Sequence, residues 1–117
     1  MNVNLLKICP EFSRYDFEVF FKNDLTQETY IPTYVKWTAL THDGQLAGNW
    51  TTANPTTSSY LVQVPAGING VSGSSEQNKA RVGRYVFMIV KPPGVANDVF
   101  YTHLFQYWVH HLQGVGD

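Results

Sequence analysis

Short stretches in which every second residue is apolar recur along this chain. No stretch shows the three-to-four spacing of a long amphipathic helix. "YDFEVFFK" (15–22) sets Phe17, Val19 and Phe21 on one side and Asp16, Glu18 and Lys22 on the other. "YVKWTAL" (34–40) sets Val35, Trp37 and Ala39 against Lys36 and Thr38. "YLVQVP" (60–65), "RYVFMIVK" (84–91) and "VFYTHLFQYWVHHL" (99–112) continue the series, and a short strand is expected through Leu46 and Trp50. Alternate side chains of a strand share a face, so each such stretch can bury one face against a second layer. Asp43-Gly44 and "PPGVAND" (92–98) are turn signals between them. About seven strands at this spacing predict an antiparallel β-sandwich or barrel. "AGINGVSGSSEQNK" (66–79) is predicted to be an exposed loop.

The 117 residues fit a single domain spanning 1–117. Charged residues are only 15% of the chain and aromatics also 15%, which argues against disorder. The net charge of −1, with no run of Lys or Arg, argues against nucleic acid as a partner. No apolar run is long enough to span a bilayer, so no membrane partner is expected. The N-terminus lacks the pattern of a secretory signal. Residues 1–14 are expected to pack on the domain or to swap between subunits, and 113–117 to form a frayed tail. Cys9 is the sole cysteine, so no internal disulfide is expected.

Candidate chemistry is sparse. His103 and His111 share a strand face but lie eight residues apart, roughly 26 Å at strand rise, too far to hold one metal. His110 and His111 point to opposite sides. The "GSS" stretch at 73–75 offers Ser74 and Ser75 only within a predicted loop, without a nucleophile motif. No spacing pairs two carboxylates across a cleft, and "GINGVSG" lacks the Lys-Ser/Thr of a phosphate loop. The expectation is no catalytic residue, no metal and no cofactor. Aromatic platforms for a glycan are the main rival reading, with Tyr30, Tyr34, Trp50 and Trp108 as candidates.

Two details narrow the fold. Trp37 sits in mid-strand, and Gly83 precedes Tyr85 by two residues, with Phe87 two further on. This resembles the tyrosine-corner pattern of immunoglobulin-like domains, with Phe87 and Val19 or Phe21 where antibody domains have cysteines. Phe17-Glu18-Val19, Pro32 to Trp37, Asp43-Gly44, Ser58 to Pro65, Tyr85-Val86-Phe87 and Phe105 to Val109 follow one another in an order that resembles small immunoglobulin-like proteins of tailed-phage particles. The resemblance implies an all-β, immunoglobulin-like antiparallel sandwich without a disulfide. It also implies a non-enzymatic decoration, neck or tail component, made in the host cytoplasm and located in the virion. Its partners would be other virion or assembly proteins, and it would be a homo-oligomer. A carbohydrate-binding module or host-surface adhesin domain is the alternative.

The immunoglobulin-like reading assigns strand faces. Phe17, Val19, Phe21, Val35, Trp37, Tyr85, Phe87, Ile89, Phe105 and Tyr107 are expected in the core. Val86, Met88, Val90, Leu104, Trp108 and Leu112 would then point outward as an apolar face too large to leave in water, expected to be a protein interface or else to be covered by the chain's own "VNLLKI" segment.

Overall fold

A computed structural model describes residues 3–5, 8–70 and 81–110. Its strands are β1 (Val3–Leu5), β2 (Cys9–Pro10), β3 (Tyr15–Phe20), β4 (Tyr34–Leu40), β5 (Thr51–Ala53), β6 (Ser59–Val64), β7 (Arg81–Lys91) and β8 (Tyr101–His110). The only helical element among the described residues is a 3-10 turn, Ala66–Asn69. The large sheet runs β1-β8-β7-β4-β5, with β2 also on β8, and the small sheet is β3-β6. The result is an all-β sandwich without a disulfide, Cys9 being free and buried. β8, β7 and β4 form the middle of the large sheet, flanked by β1 and β2 on one side and β5 on the other.

The expected all-antiparallel pairing needs one correction. β1 and β2 pair parallel to β8, with Val3 opposite Leu104 and Cys9 opposite Val109. The N-terminal segment of the chain thus lies along the edge of its own last strand and covers backbone groups that would otherwise be open. The strand expected through Leu46 and Trp50 is reduced to a single bridge, Leu40 to Leu46, and the pairing strand is Thr51–Ala53. Residues 66–69 of the predicted loop form the 3-10 turn, with Asn69 fully buried. The rest of that loop from 71, including Ser74 and Ser75, lies outside the described residues, as do His111, Leu112 and the 113–117 tail.

The second correction concerns β7. Val86, Met88 and Val90 are fully buried in the core, and Tyr85, Phe87 and Ile89 are half-buried on the opposite face. The core is built from Val19, Phe21, Val62 and Val64 on the small-sheet side and from Val35, Trp37, Ala39, Val82, Val86, Met88, Val90, Phe105, Tyr107 and Val109 on the large-sheet side. Phe17 is half-buried and packs against this cluster, its ring 5.1 Å from that of Phe105. The register fixes the assignment: Trp37 stands opposite Met88, and Val86 opposite Phe105. Directly opposed residues share a face. The expected parity fails because both parities of "RYVFMIVK" are apolar, so alternation gives the strand no phase. Tyr85 is therefore no tyrosine corner. The buried tyrosine hydroxyl belongs to Tyr107, which donates to Asn69 Oδ1 at 2.6 Å.

The inward parity has a thermodynamic signature. Met88→Ala is expected to cost about 2–5 kcal/mol, as for other buried large-to-small changes. Ile89→Ala, one residue away on the half-exposed face, is expected to cost clearly less. Urea denaturation of both variants checks this; equal costs, or a larger one at Ile89, would restore the opposite parity.

Candidate protein interface on the large sheet

With β7 turned over, the outer face of the large sheet carries a different set of side chains. Phe87 stands opposite Leu104 on β8 and Thr38 on β4. Tyr85 stands between Gln106 and Leu40, and Ile89 between Thr102 and Lys36. Trp108 lies opposite Gly83, where an added Cβ would sit 3.7 Å from the indole. The missing side chain lets the ring lie across the strand, and the Arg81 guanidinium covers it 4.8 Å from the ring centre. Leu104 and Trp108 therefore occupy the outward positions expected of them. Val86, Met88 and Val90 do not, and Tyr85, Phe87 and Ile89 stand in their place.

The β4–β5 connection runs along the edge of β4, where Ala47 N–H donates to the Ala39 carbonyl at 2.9 Å. Thr38 Oγ1 donates to the carbonyls of Gly48 and Asn49, each at 3.3 Å, which buries Thr38 completely. Trp50 follows and stands edge-on to Phe87 at 6.3 Å, with Lys36 Nζ 5.2 Å from its ring centre. Trp50 remains 40% exposed. Trp50, Phe87, Leu104 and Trp108 thus stand on one face, with Tyr85 and Gln106 between Leu104 and Trp108. Cationic groups of Lys36 and Arg81 stand over its two tryptophans. Aromatic residues, with an arginine such as Arg81 beside them, are enriched at the centres of protein interfaces. The sequence signal for Phe87 and Tyr85 was present in the alternation; the phase was not.

The aromatics proposed for a glycan do not form one platform. Trp50 and Trp108 lie on the outer sheet face. Tyr30 lines a cleft of about 460 Å³ at the end of the sandwich, with Asp24, Leu25, Phe100, Tyr101 and His103 among its other walls. Tyr34 approaches Phe100 at 6.4 Å. The turn at 23–28 is held by its own bonds: Asn23 Oδ1 accepts from Leu25 and Thr26 N–H, and Gln27 N–H donates to the Asn23 carbonyl. That turn holds Leu25 almost wholly in water, 94% exposed. Burial, followed by Tyr101 and Asp24, pushes the Tyr30 hydroxyl above its ordinary range. Sequence reasoning missed Leu25, Phe100 and Tyr101, because nothing in the chain order brings 22–31 and 99–103 together.

Among the described residues, no group of three His, Cys, Asp or Glu side chains is placed to hold a metal. Burial pushes the Cys9 thiol up, so it stays protonated. It donates weakly to the Pro10 and Ser13 carbonyls. His110 stands opposite Arg81 at the outer-face rim, and His103 opposite Met88 on the inner parity. No family model matches the sequence, and no curated protein matches it.

His103 gives the fold a pH dependence. Burial holds its pKa below the ordinary value, partly opposed by the nearby Asp24 carboxylate; Lys22 also faces the cleft. Below about pH 6.5 the unfolded chain binds this proton more readily than the folded one. Stability is thus fully present above that pH and declines as pH falls toward the folded-state pKa. In thermal melts between pH 7.5 and 5, the melting temperature of His103→Gln should fall less steeply than that of the wild type. Identical pH slopes would contradict this placement of His103.

Proposed function

We propose that this chain is a non-enzymatic structural or adaptor protein that works through protein–protein contacts. The reading takes it as a component of a phage virion, as its order of strand motifs suggests, made in a host cytoplasm and carrying no cofactor. The observation that carries it is the outer face of the large sheet, where Trp50, Phe87, Leu104 and Trp108 stand on one side of a β scaffold. Interfaces concentrate their binding energy in a few such anchors. Nucleic acid and membrane have no part in the reading. The two cations over the tryptophans suit a protein surface with acidic groups at the rim of an apolar patch.

A second reading, glycan binding, is supported by the loop-end cleft, where Tyr30 and Tyr101 stand near Asp24 and His103. One set of variants separates the two. Phe87→Glu with Trp108→Glu should leave the fold intact and abolish co-sedimentation with assembled phage particles, a loss of at least ~2 kcal/mol in association. Tyr101→Ala should leave it unchanged. Particle binding that survives the double substitution would remove the outer face from the account. Glycan-array binding lost only in Tyr101→Ala would replace it with the second reading.

A further inference from the structure

The small sheet ends in an open edge with a particular pattern of closed and free groups. Phe21 N–H donates to the Ser58 carbonyl at 2.8 Å, so the β3–β6 ladder bonds run through residues 58, 60, 62 and 64 of the β6 side. The backbone groups of Ser59, Leu61 and Gln63 therefore point away from β3. Those of Ser59 are already taken: its N–H donates to Thr57 Oγ1 at 3.4 Å, and Thr57 Oγ1 donates to its carbonyl at 3.2 Å. Pro65 has no N–H, and its carbonyl accepts from Ile68 N–H at 3.2 Å. Along this edge, among the described residues, Leu61 and Gln63 alone keep N–H and C=O open. Leu61 is 47% exposed, and both residues border a groove of about 410 Å³ floored by Trp37, Ala39 and Tyr60.

A peptide backbone is the chemistry that satisfies such groups. We infer that the occupant is a second copy of this chain, docked antiparallel through β6. The inference is independent of the outer-face reading. In the register with Val62 on a two-fold axis, Leu61 faces the second copy's Gln63 and Gln63 faces its Leu61. Every open group then meets an open group. Ser59 faces the second copy's Pro65, so the closed groups also face each other. A two-fold dimer is self-complementary by construction, and this edge meets that condition in one register. The far edge of the small sheet does not invite the same pairing. There Asp16 and Glu18 lie exposed along β3, and two copies would set carboxylates against carboxylates. The product is a continuous sheet in the order β3-β6-β6-β3, which leaves the outer faces of both large sheets available.

Sedimentation equilibrium of the full chain tests this. Wild type is expected to have twice the mass of one chain. Leu61→Pro removes an outward N–H without touching the β3 ladder, and is expected to give a monomer with unchanged circular dichroism. If that variant fails to fold, Leu61→Lys keeps the backbone and places a charge beside the axis, with the same loss expected. Amide exchange supplies an independent readout, with Leu61 and Gln63 protected only in the dimer. A wild type that stays monomeric at millimolar concentration would overturn the inference. So would a folded Leu61 variant that dimerises like wild type, or a dimer abolished instead by Phe87→Glu with Trp108→Glu.

Discussion

An arginine inside the sandwich orders much of this structure. Arg84 is 3% exposed, and its guanidinium donates to the carbonyls of Ile68, Gly83 and Gly70 at 3.0–3.2 Å. A buried cation is tolerated only where such acceptors are supplied, because its desolvation is otherwise costly. The 3-10 turn and the residue after it supply two of them. The same turn places Asn69, whose amide donates to the Ser13 carbonyl at 2.8 Å and whose carbonyl oxygen accepts from Tyr107. Burial raises the Tyr107 pKa further above its ordinary value, so the hydroxyl stays a donor. The Tyr107 ring in turn stacks on Tyr15 at 4.4 Å. One polar cluster thus fastens the N-terminal turn, the small-sheet strands and β7–β8 together. Hydrogen bonds to a charged group typically contribute about 1.5–3 kcal/mol each, so this end of the sandwich is firmly held. Arg84 pointing inward also sets the parity of β7, and with it which residues reach the surface.

That dependence explains what could be read from the chain. The alternations around Trp37 and around Phe105 and Tyr107 each have one more polar parity, and their inward faces followed from it. β7 has two apolar parities, and the only charged residue within it besides its ends is Arg84. Hydrophobicity argues that such a residue points to water. The turn that supplies its acceptors is distant in sequence, so no local pattern could reverse that argument. The parallel seating of β1 and β2 on β8 was similarly hidden, since a three-residue and a two-residue strand have no periodicity to detect. The loop-end cleft depends on contacts between the 22–31 and 99–103 segments, which only the fold creates.

The surfaces then divide by physical character. The outer large-sheet face offers apolar area with cations over its two tryptophans. The β6 edge offers open backbone groups and little side-chain chemistry. The loop end offers tyrosines, a carboxylate and a half-buried histidine around a concave space. The proposed adaptor role needs at least two surfaces that can be occupied together, and the face, the edge and the loop end are formed by different residues of one core. The N-terminal strands meanwhile cover the β8 edge, which leaves β5, paired only with β4, as the strand at the other end of the large sheet.

Hydroxyl-radical footprinting of the protein alone and mixed with the phage particles proposed as its partner tests the central claim most directly. In the free protein, Trp50, Phe87 and Trp108 should be oxidised while the buried Met88 is spared despite its reactive thioether. In the assembly, those three aromatics should become protected together, with Met88 unchanged. Oxidation of Met88 ahead of Phe87 in the folded protein, or equal labelling of the three aromatics in the free and assembled states, would contradict the account.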